Sequence, residues 1–103
     1  MDDEEKILAM TPRRKLDLWK VDEASPDMPI VIVAFGTFIR INRVGAVVWE
    51  LCTGENSVRA IVDEVARQCP GISWQQIATD VLAFLHALDK KGVLVLDFDP
   101  LVG

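Results

Sequence analysis

The residues able to do chemistry are few, and their spacing decides little in favour of catalysis. His86 is the single histidine in 103 residues. Its position two residues beyond Phe84 puts it on the polar side of a helical pattern. A general base needs a partner and a pocket, and nothing around His86 supplies either. Ser57 and Ser73 each stand directly before an apolar periodic stretch. There a hydroxyl accepts from free backbone N–H groups of a first helical turn, so both are read as caps and not as nucleophiles. Cys52 and Cys69 fall on separate expected helices and read as small buried hydrophobes in a reducing compartment. One histidine and two distant cysteines lack metal-ligand spacing, and the glycines do not cluster into a phosphate-cradling loop. Asp63 and Glu64 lie on the polar side of a helix. Asp80 borders an apolar stripe, as a local salt-bridge partner or as a polar contact at the rim of a groove. These observations point away from an enzyme, and no cofactor or metal is expected.

The totals narrow the class. A chain of this length makes one domain with one core. Half of it is apolar, 26% is charged and the formal net charge is −5, the profile of a folded domain. An acidic chain repels phosphate backbones. The outward positions of the last helical stretch, Gln75, Gln76, Thr79, Ala83 and His86, carry no arginine or lysine before Lys90, so phosphate contacts that seat a reading helix in DNA are missing. No apolar run approaches membrane-spanning length, and the acidic start Met1-Asp2-Asp3-Glu4-Glu5 is unlike a secretory signal; a cytoplasmic protein without membrane or nucleic-acid partners is expected.

Elements follow from period. Residues 1–14 read as a flexible lead-in and 98–103 as a tail around a domain at 15–97. Lys15 to Val21 alternates as a strand, Asp22 to Pro29 holds turn residues, Ile30-Val31-Ile32-Val33 is a β-branched run, and Thr37 to Ile41 is a third strand. The short Ala34-to-Gly36 link makes the last two antiparallel, while the longer Asp22-to-Met28 loop leaves the first pairing open. The period then becomes helical. Asn42, Ser57 and Ser73 cap three helices, which Thr53-Gly54, Pro70-Gly71 and Gly92 end. Val93 to Asp97 reads as a short strand or extended tail. The expected class is α+β: an N-terminal three-stranded antiparallel sheet, three helices and a short C-terminal strand, in a winged helix-turn-helix arrangement.

Such a sheet leaves backbone donors and acceptors unpaired at its outer strand. In Thr37 to Ile41, Ile39 and Ile41 share one face, and Phe38 and Arg40 the other. An edge strand of this kind can accept an added peptide strand, with backbone bonds giving affinity and side-chain pockets selectivity. Ala78 and Leu82 either extend the apolar stripe of the last helix toward such a groove or widen its core face.

Three segments carry a resemblance. Ile41-Asn42-Arg43-Val44-Gly45-Ala46-Val47-Val48-Trp49-Glu50-Leu51-Cys52-Thr53-Gly54 resembles "LN-x-x-(G/A)-A-x-x-(L/W)-x-L-x-x-G". Ser57-Val58-Arg59-Ala60-Ile61-Val62 matches a capped "T/S-V-x-x-I" helix start. Asp80-Val81-Leu82-Ala83-Phe84-Leu85-His86-Ala87-Leu88-Asp89-Lys90-Lys91-Gly92-Val93-Leu94 resembles "D-V-x-x-F-L-x-x-L-x-x-x-G-L-(L/I)". Their order and spacing are those of the PqqD-like family of RiPP recognition elements, over roughly Lys15 to Leu96. The resemblance implies a non-catalytic chaperone that binds the leader segment of a ribosomal precursor peptide and presents it to a modifying enzyme, often a radical S-adenosylmethionine enzyme. It implies that the leader adds beside Thr37, Phe38, Ile39, Arg40 and Ile41, facing Ala78, Asp80, Leu82 and Leu85. Phe38 and Leu82 would then give apolar contacts, and Arg40 would pair with an acidic leader residue. Family members exist as monomers or strand-exchanged homodimers, and Pro26 and Pro29 suit a hinge. The alternatives are a winged-helix DNA-binding regulator and a protein-interaction domain of a larger regulatory system.

Overall fold

A computed structural model describes residues 3–15 and 19–97. In chain order these residues form α1 (Asp3–Leu8), β1 (Arg13–Arg14), β2 (Trp19–Val21), β3 (Ile30–Ala34), β4 (Thr37–Ile41), α2 (Arg43–Leu51), α3 (Val58–Gln68), α4 (Trp74–Lys90) and β5 (Leu94–Val95). The class is α+β. A three-stranded antiparallel sheet runs in the order β2-β3-β4, and a separate two-stranded ladder joins β1 to β5.

The β-branched run makes β3 the middle strand. Ile30, Ile32 and Ala34 face the helices and are buried. Ile39 and Ile41 of β4 stand opposite Ile32 and Ile30, so they share that inner face. The β3–β4 connection has two central residues, Phe35 at φ 52° and Gly36 at φ 75°. Positive φ at both is the type I′ geometry that matches strand twist. Glycine takes it freely, whereas Phe35 adopts it at a cost of about 1–2 kcal/mol. The longer loop before β3 does not prevent pairing, since Trp19, Lys20 and Val21 stand opposite Ile32, Val31 and Ile30. The Asp22 N–H donates to the Pro29 carbonyl at 2.7 Å and closes the ladder. The described part of the first expected strand is Trp19–Val21. Lys15 belongs to the other ladder, where its N–H donates to the Val93 carbonyl at 2.9 Å. Leu16, Asp17 and Leu18 of that expected strand lie outside the described residues.

Each helix starts at its expected cap. Asn42 Oδ1 accepts from the Gly45 N–H at 2.8 Å, and Ser57 Oγ and Ser73 Oγ accept from the Ala60 and Gln76 N–H groups at 3.1 Å. The carboxyl end of α2 has a device that the sequence does not announce. Arg14 Nη1 donates to the Trp49 carbonyl at 2.7 Å, which also accepts from the Cys52 N–H, and to the Glu50 carbonyl at 3.0 Å, a cation at the negative end of the helix dipole. The same guanidinium lies over the rings of Trp19, at 5.2 Å, and Trp49, at 5.8 Å.

α1 and β1 were not anticipated. α1 brings Leu8 into the core at 4% exposure. The segment after it is tied to the α2–α3 turn, since the Val58 and Gly54 N–H groups donate to the Met10 and Pro12 carbonyls. Val93 and Leu94 are fully buried, and β5 pairs with β1 and not with the larger sheet. Residues 98–103, read as a tail, lie outside the described residues, as do Met1 and Asp2. The core between sheet and helices is centred on Trp49, Ile32, Ile61, Val62 and Leu85.

Candidate functional site

β4 forms an edge of the sheet, and its register fixes which of its backbone groups are free. In an antiparallel pair, facing residues alternate between those that exchange both hydrogen bonds and those that exchange none. A two-residue turn makes the flanking pair, Ala34 and Thr37, a bonded one. Ile32–Ile39 and Ile30–Ile41 are then bonded as well, while Val33–Phe38 and Val31–Arg40 are not. The N–H and C=O of Phe38 and Arg40 therefore point away from β3, toward the side of β4 on which no strand lies among the described residues.

The outer face of this hairpin is apolar for a surface. Phe35 is 76% exposed, Phe38 is 71% exposed, and Val33 opposite Phe38 is also exposed. Arg40 does not reach freely into solvent. Its Nη1 lies 3.3 Å from Asp22 Oδ2, and Val31, which stands opposite it in the ladder, is buried. The Arg40 bond is the main reason that the Asp22 carboxyl is held below its ordinary value, helped by the bond from the Ala24 N–H.

Immediately past β4 lies a cavity of about 360 Å³, lined by Asn42, Val44, Gly45, Val48, Val65, Cys69, Ile72, Ile77, Asp80, Val81 and Phe84. Residue 45 in its wall has no room for a side chain. A Cβ there would lie 2.5 Å from Ile41 Cγ2 and 3.1 Å from both Asn42 Oδ1 and Phe84 Cε1, so the first turn of α2 sits against the end of β4 and the Phe84 ring. Val44 and Ile72 are about half exposed at the rim. Asp80, also exposed, accepts from Gln76 Nε2 at 3.1 Å.

Of the expected α4 positions, Asp80 lines this cavity and Ala78, Leu82 and Leu85 do not. Ala78 and Leu85 are buried at 3% and 0% exposure and have no surface to offer in this conformation. Leu82 is half-buried against the core, and at about 100° per residue it stands roughly 200° around the helix from Phe84. Phe84 and Asp80, four residues apart, share a flank. Phe84 packs against the core from that flank and also lines the cavity, which the sequence reading did not foresee. That four-residue spacing to Asp80 was the available signal. Gly45, Asn42 and Ile72 were also missed, since only the packing of α2 on α4 brings them together.

The other reactive residues occupy structural positions. Cys52 is fully buried, its thiol 3.1 Å from the Val48 carbonyl, and desolvation pushes its pKa up to about 12. Asp63 accepts from Trp74 Nε1 at 2.7 Å, Glu64 pairs with Arg67, and Thr79 donates to the Gln75 carbonyl. His86 is exposed. Among the described residues, no three His, Cys, Asp or Glu side chains gather where a metal ion could sit.

A family model described as coenzyme PQQ synthesis protein D (PqqD) matches residues 16–94. The chain belongs to the PqqD family. The match covers β2 through the start of β5, and so the edge strand and every wall of the cavity. Comparison with curated proteins and with solved structures gave no match. Membership connects this PqqD-family chain with the synthesis of coenzyme PQQ and of related ribosomally made peptides, as part of a non-catalytic accessory family that works with biosynthetic enzymes and a peptide. No helix among the described residues is long and apolar enough to cross a membrane.

Proposed function

We propose that this PqqD-family domain binds the leader segment of a ribosomally made precursor peptide as a fourth strand beside β4 and delivers it to a modifying enzyme, with a radical S-adenosylmethionine enzyme as the partner class. The observation that carries the reading is the free edge: Phe38 and Arg40 direct two donors and two acceptors away from the sheet. An extended leader running antiparallel satisfies all four. Its outward side chains then meet Phe38 and Arg40, and its inward ones meet Ile39, Ile41 and the flank of α4. An acidic leader residue opposite Arg40 shares the guanidinium with Asp22. The succession of α3, α4 and β5 supports the winged-helix description, with the β1–β5 ladder in the place of the wing.

The domain does no chemistry in this scheme. It orders a flexible leader and raises the effective concentration of the attached core peptide at the partner's active site. Ordering the leader consumes part of the binding energy, so micromolar to submicromolar Kd is expected. Calorimetric titration with leader peptides encoded beside the gene tests this. Saturable binding of one of them supports it. A folded domain that binds none, or that instead binds duplex DNA with a steep salt dependence, overturns it.

A further inference from the structure

The edge of β4 that is open to a leader is also complementary to itself. We infer that, with no leader bound, β4 pairs antiparallel with β4 of a second copy of this chain, about a two-fold axis at Ile39, and that the leader must displace that copy. The displacement rests on the strand-addition reading, whereas the self-pairing rests on the register alone.

The axis follows from which backbone groups are free. Phe38 and Arg40 direct theirs away from β3. With Ile39 of one copy opposite Ile39 of the other, each Phe38 faces an Arg40. The two pairs then exchange four backbone bonds, and no free group on either strand is left over. Centred on Arg40 instead, the same strands set two guanidinium groups opposite each other, which is unfavourable. Centred on Phe38, they run Arg40 against Gly36, a turn residue at φ 75°.

The side chains suit the Ile39 axis. On the outer face each exposed Phe38 lies against an Arg40 guanidinium, a cation–aromatic pair made twice. Arg40 already has Asp22 beside it, so the two edges meet without unbalanced charge. On the inner face burial rises along the strand: Thr37 is exposed, Ile39 half-buried and Ile41 buried, the last packed on Gly45. An antiparallel copy sets the covered end of each strand beside the open end of the other. From Thr37 to Ile41 the strand also has no proline, lysine or bulge, the devices that keep an edge from pairing.

Two five-residue strands bury less than the roughly 1,200 Å² of a stable interface, and each copy carries a net charge of −5. The dimer is therefore weak, with a Kd on the order of 100 μM, and it tightens as salt screens the repulsion. At micromolar concentration the edge stands open to a leader. At higher concentration the second copy shields it from unrelated strands. No segment leaves its own fold, which separates this pairing from strand exchange.

Sedimentation equilibrium and amide spectra of the full chain, from about 10 μM to about 1 mM, bracket the expected Kd. The mass should rise toward that of a dimer, with the Phe38 and Arg40 amides shifting. Phe38→Arg, at an exposed position that leaves the fold intact, sets like charges opposite each other twice and should weaken association roughly tenfold or more. Mixing it with Arg40→Glu should restore a dimer, because arginine 38 then faces glutamate and Arg40 faces Phe38. A monomer mass throughout, with no concentration-dependent shift in β4, overturns the inference and leaves strand addition to the leader titration at micromolar concentration. A dimer that Phe38→Arg leaves intact, or that mixing does not rescue, uses another face and also overturns it. Leader peptide should return the unmodified chain to monomer. An edge dimer that persists at every leader concentration overturns the displacement and the strand-addition reading, and spares the self-pairing.

Discussion

Replacing Phe38 by proline separates the backbone from the side chain at the proposed edge. The register puts the Phe38 N–H away from β3, so proline there breaks no bond of the sheet, and an outward-facing edge position tolerates it. The Phe38 side chain is 71% exposed, so Phe38→Ala alone changes stability by about 0.5 kcal/mol or less. In the complex the proline removes one donor, and its ring occupies the space of the incoming strand, weakening the reciprocal bond. One to two backbone bonds correspond to about 1–3 kcal/mol, or on the order of fivefold to 100-fold in Kd relative to Phe38→Ala. Ile39→Pro is the phase control. Its N–H bonds to β3 opposite Ile32, and its loss leaves an acceptor unpaired beside a half-buried side chain, a cost of about 2–4 kcal/mol in stability. Calorimetry against a leader peptide and thermal unfolding read the two effects separately. The reasoning is refuted if folded Phe38→Pro binds as tightly as Phe38→Ala, or if Phe38→Pro unfolds the domain while Ile39→Pro does not.

Other perturbations probe the supports of the site. Gly45→Ala forces a methyl to within 2.5 Å of Ile41 Cγ2 and should cost about 1–3 kcal/mol by overpacking, read as a lowered Tm with weakened leader binding. Arg14→Ala removes the bonds to the Trp49 and Glu50 carbonyls and the stacking on two tryptophans; a loss of about 1–3 kcal/mol in denaturant unfolding is expected, and Arg14→Lys should restore only part of it. Cys52 predicts a pH effect with a defined sign. Its folded pKa, raised by burial to about 12 from 9.0, favours the folded state fully below pH 9, and that contribution declines as pH rises from 9 toward 12. Unfolding free energies should fall across that window in the native chain and fall less in Cys52→Ala.

Much of the architecture was legible because caps and periods are local. Asn42, Ser57 and Ser73 each accept the bond their position implies, and Thr37 to Ile41 is the strand that alternation describes. Legibility failed where long-range packing decides. Nothing local in Leu8 or Arg14 indicates that one enters the core and the other caps α2 across 35 residues of sequence. The β1–β5 ladder joins two-residue strands from opposite ends of the chain, too short for any period to show. On α4 the apolar stripe was read correctly but its flanks were not distinguished. Leu82 was the residue taken toward the groove, and only the approach of Gly45 shows that Phe84 lies beside the end of β4.

Amide hydrogen exchange at β4, with and without a leader peptide, tests the central claim most directly. In the free domain the Phe38 and Arg40 amides should exchange quickly and the Ile39 amide slowly, following the alternation of the ladder. Saturation with the leader should protect Phe38 and Arg40 and leave Ile39 as it was. A bound leader that leaves both amides unprotected while slowing exchange elsewhere would contradict strand addition at this edge.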